Sequence, residues 1–302
     1  MTMTRARFAK LLQWGLNSVF GLEYRRHPEY WKQLFDTETS EKAWEEDVKV
    51  YGFGGAIEKP EGSAIQYDEG GQAWSAKYIH KTIAMGFRIT QEAQEDNLYL
   101  DIGKKFSRCL AESFQFTKEV RGASVINNGY DTNYAGGDGQ PLFSTAHPLV
   151  SGATAANMLS TPAQLSESAI EDALIDISMM VDERGQPIIV NGVKLVIPNP
   201  LEFQAFRLLN TELRVGTANN DVNALYKKGS IPEGYVTNRY LSSPTRWFLK
   251  TDIKDGLKHF DRVKLQRGME GDFETGNLRY KARERYSFGW TDWRAVYGSG
   301  AL

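Results

Sequence analysis

The chain has 302 residues, 41% hydrophobic and 25% charged, with a formal net charge of -2, enough to bury a sizeable core as one large domain or two smaller ones. That near-balance argues against a surface built for tight duplex binding, which needs many Lys and Arg contacts to phosphate. The single cysteine, Cys109, excludes an intrachain disulfide, a CxxC redox pair and a thiolate zinc cluster, and no run of about 18 apolar residues offers a membrane span.

Residues 5 to 22 are expected to form an amphipathic helix, with Phe8, Leu11, Leu12, Leu16 and Val19 on one side and Arg5, Arg7 and Lys10 near its start. Lys10, Gln13 and Asn17 interrupt the apolar run and no small-residue cleavage site follows, so it reads as mature sequence rather than a secretory signal. The stretch through Trp31, Phe35 and Trp44 has large aromatics without regular spacing, which suits an arm packed on its own domain or across a neighbour.

From Val48 to Thr90 short β-prone runs, with Tyr78, Phe87 and Ile89, are separated by GFGG, EKPEG and DEGG. Such punctuation predicts hairpins and extended loops, and a hairpin this poor in core residues is marginal unless it lies on a partner. Residues 91 to 121 carry the clearest helical spacing: Leu98, Ile102, Phe106, Leu110 and Phe114 recur every four residues, with Gly122 as a stop. Charge placed in this spine, as in Phe106→Asp, is expected to abolish folding.

After the glycine-rich stretch YDTNYAGGDGQPLFSTAHP (130–148), Ser166 or Ser168 caps a helix with Ala169, Ile170, Ala173, Leu174, Ile177 and Met180 on its apolar stripe, ended by Pro187. Ile188 to Ile197 reads as a tight hairpin turning at Asn191-Gly192. A helix over Leu201 to Leu213 presents Phe203, Phe206 and Leu209 on one face, and strands dominate beyond Val222, with the alternating pairs Val263/Leu265, Tyr280/Ala282 and Tyr286/Phe288 and a loop at GMEGDFETGN.

Catalytic signals are thin. His147, with Ser144 and Thr145 nearby, is the best of four histidines as a general base, yet no G-x-S-x-G elbow exists and Pro148 follows directly. Asp131-x-Asn133 fails as a calcium loop because Leu142 stands where a bidentate Glu belongs, and GFGG lacks the third glycine of a dinucleotide fingerprint. Cys109 is expected to be a small buried residue of the spine. The acidic group Glu41, Glu45, Glu46 and Asp47 is interleaved with Lys42 and Lys49 and reads as a solvated face.

Three segments, GDGQPLFSTAHP (137–148), GQPIIVNGVKLVIP (185–198) before LEFQAFRLL, and ERYSFGWTDWRAVYG (284–298), together with the element order, resemble the major head proteins of tailed bacteriophages, in particular the Mu-type subunit. The resemblance covers roughly residues 36 to 298. It implies an α+β chain of the Hong Kong-97-type fold: an N-terminal arm (1–47), an extended loop (48–90), a peripheral domain with the spine helix (91–150), an axial domain (151–254), and return strands with a C-terminal strand (255–302). It also implies a non-enzymatic subunit, with no catalytic, cofactor-binding or metal residues, that is made in the bacterial cytoplasm. Pentamers and hexamers of it would build an icosahedral virion shell around double-stranded DNA contacted non-specifically. No long charged N-terminal extension is present, so a separate scaffold is implied, along with a portal and decoration proteins. Two other readings stand beside it: an encapsulin-like nanocompartment shell, and an α/β hydrolase using His147, in which His147→Ala would end turnover while leaving a capsid largely intact.

Overall fold

Two four-stranded sheets organise the chain, and both are completed by its C-terminal segment. The computed structural model describes residues 5–90, 92, 99–213, 221–272 and 274–300. The first sheet has the order β1-β10-β11-β4, built from β1 (Asp36–Thr39), β4 (Lys81–Ile89), β10 (Leu257–Gly271) and β11 (Leu278–Trp290). β1 runs parallel to β10, and the other pairs are antiparallel. GMEG, expected as loop, continues β10, and Asp272 caps the turn by accepting from Thr275 and Arg279.

Helix α1 (Arg5–Arg26) and the long α2 (Tyr99–Asn127) pack together over this sheet. Leu16 and Phe20 of α1 meet Leu110, Ala111 and Phe114 of α2 and Ile89, Tyr280 and Ala282 of the strands in one buried cluster. Phe20 meets Phe114 edge-on at 6.3 Å, and burying each ring contributes roughly 2 kcal/mol. The side chains of Arg5, Arg7, Phe8, Lys10, Leu11, Leu12 and Leu98 lie outside the described residues.

The spine departs from expectation in three ways. Gly122 does not end it; the helix runs on to Asn127, and the glycine lets Trp31 approach, since an added Cβ would lie 3.0 Å from the Trp31 Cβ. Ile102 and Phe106 are half exposed, at 45% and 48%, because a stripe repeating every four residues drifts round a 3.6-residue helix and only its Leu110–Phe114 end is fully covered. Cys109, on the side away from Leu110, is exposed rather than buried.

The expected hairpin over 48–90 divides. β2 (Trp44–Tyr51) pairs with β3 (Gly71–Ile79) as a two-stranded ribbon around the exposed loop 52–70, whereas β4 turns away at His80 to join β11. His80 fixes that corner, its ring nitrogens bonding Ser287 at 3.0 Å and Ser40 at 2.9 Å.

The second sheet has the order β12-β9-β7-β8: β7 (Gly192–Ile197), β8 (Tyr235–Thr237), β9 (Phe248–Thr251) and β12 (Val296–Gly298). Helix α3 (Glu167–Ser178) is capped by the Ser166 hydroxyl accepting from Ala169 N, and Ala169, Ile170, Ala173 and Ile177 are buried as expected. It stops at Met179, well before Pro187, in a turn where Asp182 accepts from Arg184 and Gln186. No hairpin forms at Asn191-Gly192: residues 188–191 are not strand, and β7 instead sits between β8 and β9, with Asn191 and Asp252 joined by three hydrogen bonds. Helix α4 (Glu202–Asn210) is shorter than expected and buries Ala205, leaving Phe203 76% and Phe206 52% exposed. A short α5 (Ala224–Lys228) follows, capped by Asn223.

One main core joins the halves. Trp31, Leu34 and Phe35 of the arm, Leu195 to Ile197 of β7, Trp247 to Leu249, and Trp293 with Val296 and Tyr297 belong to a single buried cluster. The Trp31–Phe35 stretch therefore docks on its own chain, with Trp44 left partly exposed.

Candidate functional site

The glycine-rich loop and the C-terminal WTDWRA segment close on each other as a buried polar clasp. Gly136 and Gly137 are needed for close approach: an added Cβ would sit 2.2 Å from the Trp290 ring at the first and 2.2 Å from the Ser75 carbonyl oxygen at the second. The turn is held by Gly136 N donating to Gln140 O, and Gly139 adopts φ 79.

Asp138 Oδ2 lies 2.6 Å from His147 Nδ1, and the imidazole stacks on Trp293 at 4.5 Å with an interplanar angle of 7°. Asn157, fully buried, donates its amide nitrogen toward the carbonyls of Leu142, Trp293 and Val296. Its Oδ1 is thereby fixed as an acceptor, taking Ser144 N at 3.0 Å and His147 Nε2 at 3.2 Å. Nε2 therefore carries hydrogen, and Nδ1 either donates to Asp138 or accepts from it. Neither arrangement leaves His147 a free lone pair. With His147 0% exposed and Ser144 Oγ directed to Gln140, the arrangement provides no general base for a hydrolase. His147 is a structural tie, and His147→Ala is expected to destabilise the fold, contrary to the expectation of a dispensable loop residue.

Beside the clasp, Arg294 is 1% exposed. Its Nη1 meets Glu183 Oε1 at 2.6 Å and Asp292 Oδ1 at 3.3 Å, its Nε donates to Val181 O at 2.8 Å, and its guanidinium lies 4.0 Å from the Trp293 ring centre. Burial pushes against ionisation of Asp292, yet Lys49 and Arg294 hold its carboxyl below the usual range. Burial outweighs Arg294 at Glu183 and raises it. Thr291 reaches the ribbon, donating from Oγ1 to Asp47 at 2.6 Å while Tyr78 OH donates to it at 2.6 Å, and Trp74 Nε1 donates to Thr291 O. Residues 291–294 thus tie the ribbon and the glycine-rich loop to the turn after α3.

The acidic group read as a solvated face is dispersed along β2. Glu45 bonds Ser40, and Asp47 pairs with Lys258 at 2.8 Å. Glu23, His27 and Glu112 bring three donor atoms within 4.8 Å of one another, but Arg26 already stands 3.5 Å from Glu23. Among the described residues, no helix is long and apolar enough to cross a membrane.

Between α2, the arm and the first sheet lies a buried ionisable pocket. Burial pushes Glu284 and Glu119 each up to about 7, despite Lys118 beside both. Burial and Lys118 push His259 down to about 2. The carboxyls favour the folded state when protonated, so their contribution is complete below the unfolded value near 4.5 and is lost as pH rises through about 7. His259 acts oppositely, weakening the fold as pH falls below its ordinary 6.5. We expect Glu284→Gln to melt higher than the parent chain at pH 8 and equally at pH 4, in thermal unfolding of unassembled protein; equal melting at both would remove the assignment.

The remaining candidate surface is apolar and outward. Ile175, Met179, Ile189, Phe203 and Phe206, around the second sheet, are 52 to 95% exposed, and Phe53, Ile57, Ile65 and Tyr67 of the ribbon loop are 65 to 88% exposed. Side chains of this size rarely gather on a free surface without a partner.

With this geometry in place, the comparisons are direct. Residues 75–299 match the family model described as phage capsid protein, and the chain belongs to that family. Among solved structures, the capsid of an empty GTA particle superposes with TM-score 0.54 at 10% identity, covering 90% of this chain and 89% of that one. The procapsid of bacteriophage JBD30 gives 0.53 at 14% identity, covering 99% and 77%. A virus-like particle from Pyrococcus furiosus gives 0.50 at 8% identity, covering 94% and 97%. No curated protein sequence matches. The fold is the Hong Kong-97 type expected from the resemblance, and the protein is a major capsid protein that forms shells, a component of the virion.

Proposed function

We propose that this chain assembles into pentamers and hexamers that close as an icosahedral phage head around double-stranded DNA. The observation that supports it most is the outward apolar face of the axial half, where Phe203 and Phe206 stand out from a short helix whose other side, Ala205, Leu208 and Leu209, packs on the core. Copies arranged head-to-tail about a rotation axis would cover such faces in each other. In this reading the axial domain spans 151–254, the peripheral domain takes the spine and return strands, the ribbon with its loop is the extended loop, and 1–47 is the arm. A separate scaffold and a portal complete the assembly, and the near-neutral net charge suits a wall that contacts DNA without gripping it.

Electron microscopy and sizing of the purified chain, expressed with and without its neighbouring genes, test this. Uniform hollow shells are expected, and the double variant Phe203→Ser/Phe206→Ser should remain folded yet shift to small species. A parent chain that stays a small monomer under both conditions overturns the reading.

A further inference from the structure

Where α1 meets α2, Glu23 of α1 and His27 directly after it gather with Glu112 of α2. Among the described residues these three are the one group of His, Cys, Asp or Glu side chains whose donor atoms all lie within 4.8 Å of one another. Glu23 and His27 are i, i+4 neighbours, with Oε1 3.6 Å from Nε2. Gln115 sets the register of the two helices by donating from Nε2 to Tyr24 O at 2.6 Å, and Ala111 shares a buried cluster with Leu16 and Phe20. Glu112, between Ala111 and Gln115, is thereby brought against the residue that precedes Tyr24.

The charge there is poorly balanced. Two carboxylates face each other and repel, and the Arg26 guanidinium stands 3.5 Å from Glu23 on a side chain 78% exposed. Glu112 makes no salt bridge to another described residue. An exposed pair such as Glu23–Arg26 contributes little, so a dication that meets both carboxylates displaces the arginine at small cost.

We propose that Glu23, His27 and Glu112 bind a divalent transition-metal ion of the zinc type, which staples the end of α1 to α2. The donor set selects the metal: imidazole nitrogen with carboxylate oxygen suits zinc, whereas calcium and magnesium favour shells of oxygen alone. Zinc in a tetrahedral site, with bonds near 2.1 Å, holds its ligand atoms roughly 3.4 Å apart. The Glu23–His27 pair at 3.6 Å is close to that spacing, and Glu112, exposed, closes the remaining gap by a side-chain rotation. The His27 side chain is 44% exposed, which leaves the fourth position to water. An ion bound only in the docked arrangement favours it over a detached α1 by mass action. All three ligands come from one chain, so the staple holds whether or not copies assemble.

The test is cobalt(II) and zinc titration of the full, tag-free chain carrying Cys109→Ser, which removes its single thiol. His80, His147 and His259 are buried, so His27 is the imidazole open to solvent and the visible bands of bound cobalt report on it. One equivalent of cobalt with tetrahedral bands is expected, displaced by zinc, and zinc in large excess over its dissociation constant should raise the thermal midpoint by at least about 3 °C. His27→Ala and Glu112→Gln change exposed side chains and should keep the circular dichroism. Each should weaken binding at least about tenfold and abolish the thermal shift, whereas Arg26→Ala should tighten binding by releasing Glu23. Absence of cobalt bands, or bands that survive His27→Ala, overturns the site. Bands lost in His27→Ala but untouched in Glu112→Gln confine the ion to α1 and overturn the staple.

Discussion

Replacing Asn157 by alanine should leave little folded protein. The substitution takes a donor from three buried carbonyl oxygens, of Leu142, Trp293 and Val296, of which Trp293 O keeps Val296 N, and takes the acceptor from two donors, Ser144 N and His147 Nε2. Each buried group left without a partner costs about 1–3 kcal/mol, and the side chain is 0% exposed, so water reaches none of them without opening the clasp. A loss of at least about 4 kcal/mol is expected, a large part of the roughly 5–15 kcal/mol that holds a typical domain together. The check is the urea midpoint of unassembled protein, with Asn157→Asp as a second variant that keeps the shape but loses the donors. A midpoint within error of the parent for Asn157→Ala would remove the clasp from the account of stability.

Phe114→Asp and Phe106→Asp should part company, although the two residues share one row of the helix. Phe114 is 1% exposed against Phe20 and the sheet, and the cations nearest a carboxylate there are already engaged, Lys118 by Asp261 and Glu284 and Arg267 by the Asn17 carbonyl. Such burial costs several kcal/mol, enough to yield insoluble chain. Phe106, 48% exposed and 5.7 Å from the Phe87 ring, can turn a carboxylate to water, so that variant is expected to fold with a loss of about 1 kcal/mol. Soluble yield and near-ultraviolet circular dichroism separate the two. A soluble, native-like Phe114→Asp would mean that the helix is turned differently on the sheet.

The sequence carried the class of the fold because its strongest signals are local. The stripe of α3, the cap at Ser166, and the alternation of Tyr280, Ala282 and Tyr286 in β11 each follow from neighbouring residues and are buried as their spacing implies. What was illegible depends on distant partners. Asn157 lies in SGATAANMLS, where nothing marks it, and the five polar contacts of its side chain are made to residues 142–147 and 293–296. Arg294 and Glu183 are ordinary charges until the fold places them 2.6 Å apart. Asn191-Gly192 misled in the opposite way: a favourable turn pair was overridden when β7 found its neighbours at Tyr235–Thr237 and Phe248–Thr251. Phe203 and Phe206 were read as sharing one face with Leu209, but amphipathic spacing reports that a face is apolar, not whether its cover comes from the same chain.

The placement of β12 also bears on how the chain is made. Val296–Gly298 forms an edge of the axial sheet beside β9, and Trp293 caps the clasp from the same short segment. During synthesis neither can be supplied until residues 293–298 have left the ribosome, so the second sheet stays incomplete while β7, β8 and β9 are already made. A prematurely terminated chain would therefore lack the sheet edge and the partner of His147 at once. Shells drawn from such a pool would be self-screening: residues 293–298 decide which molecules are fit to join.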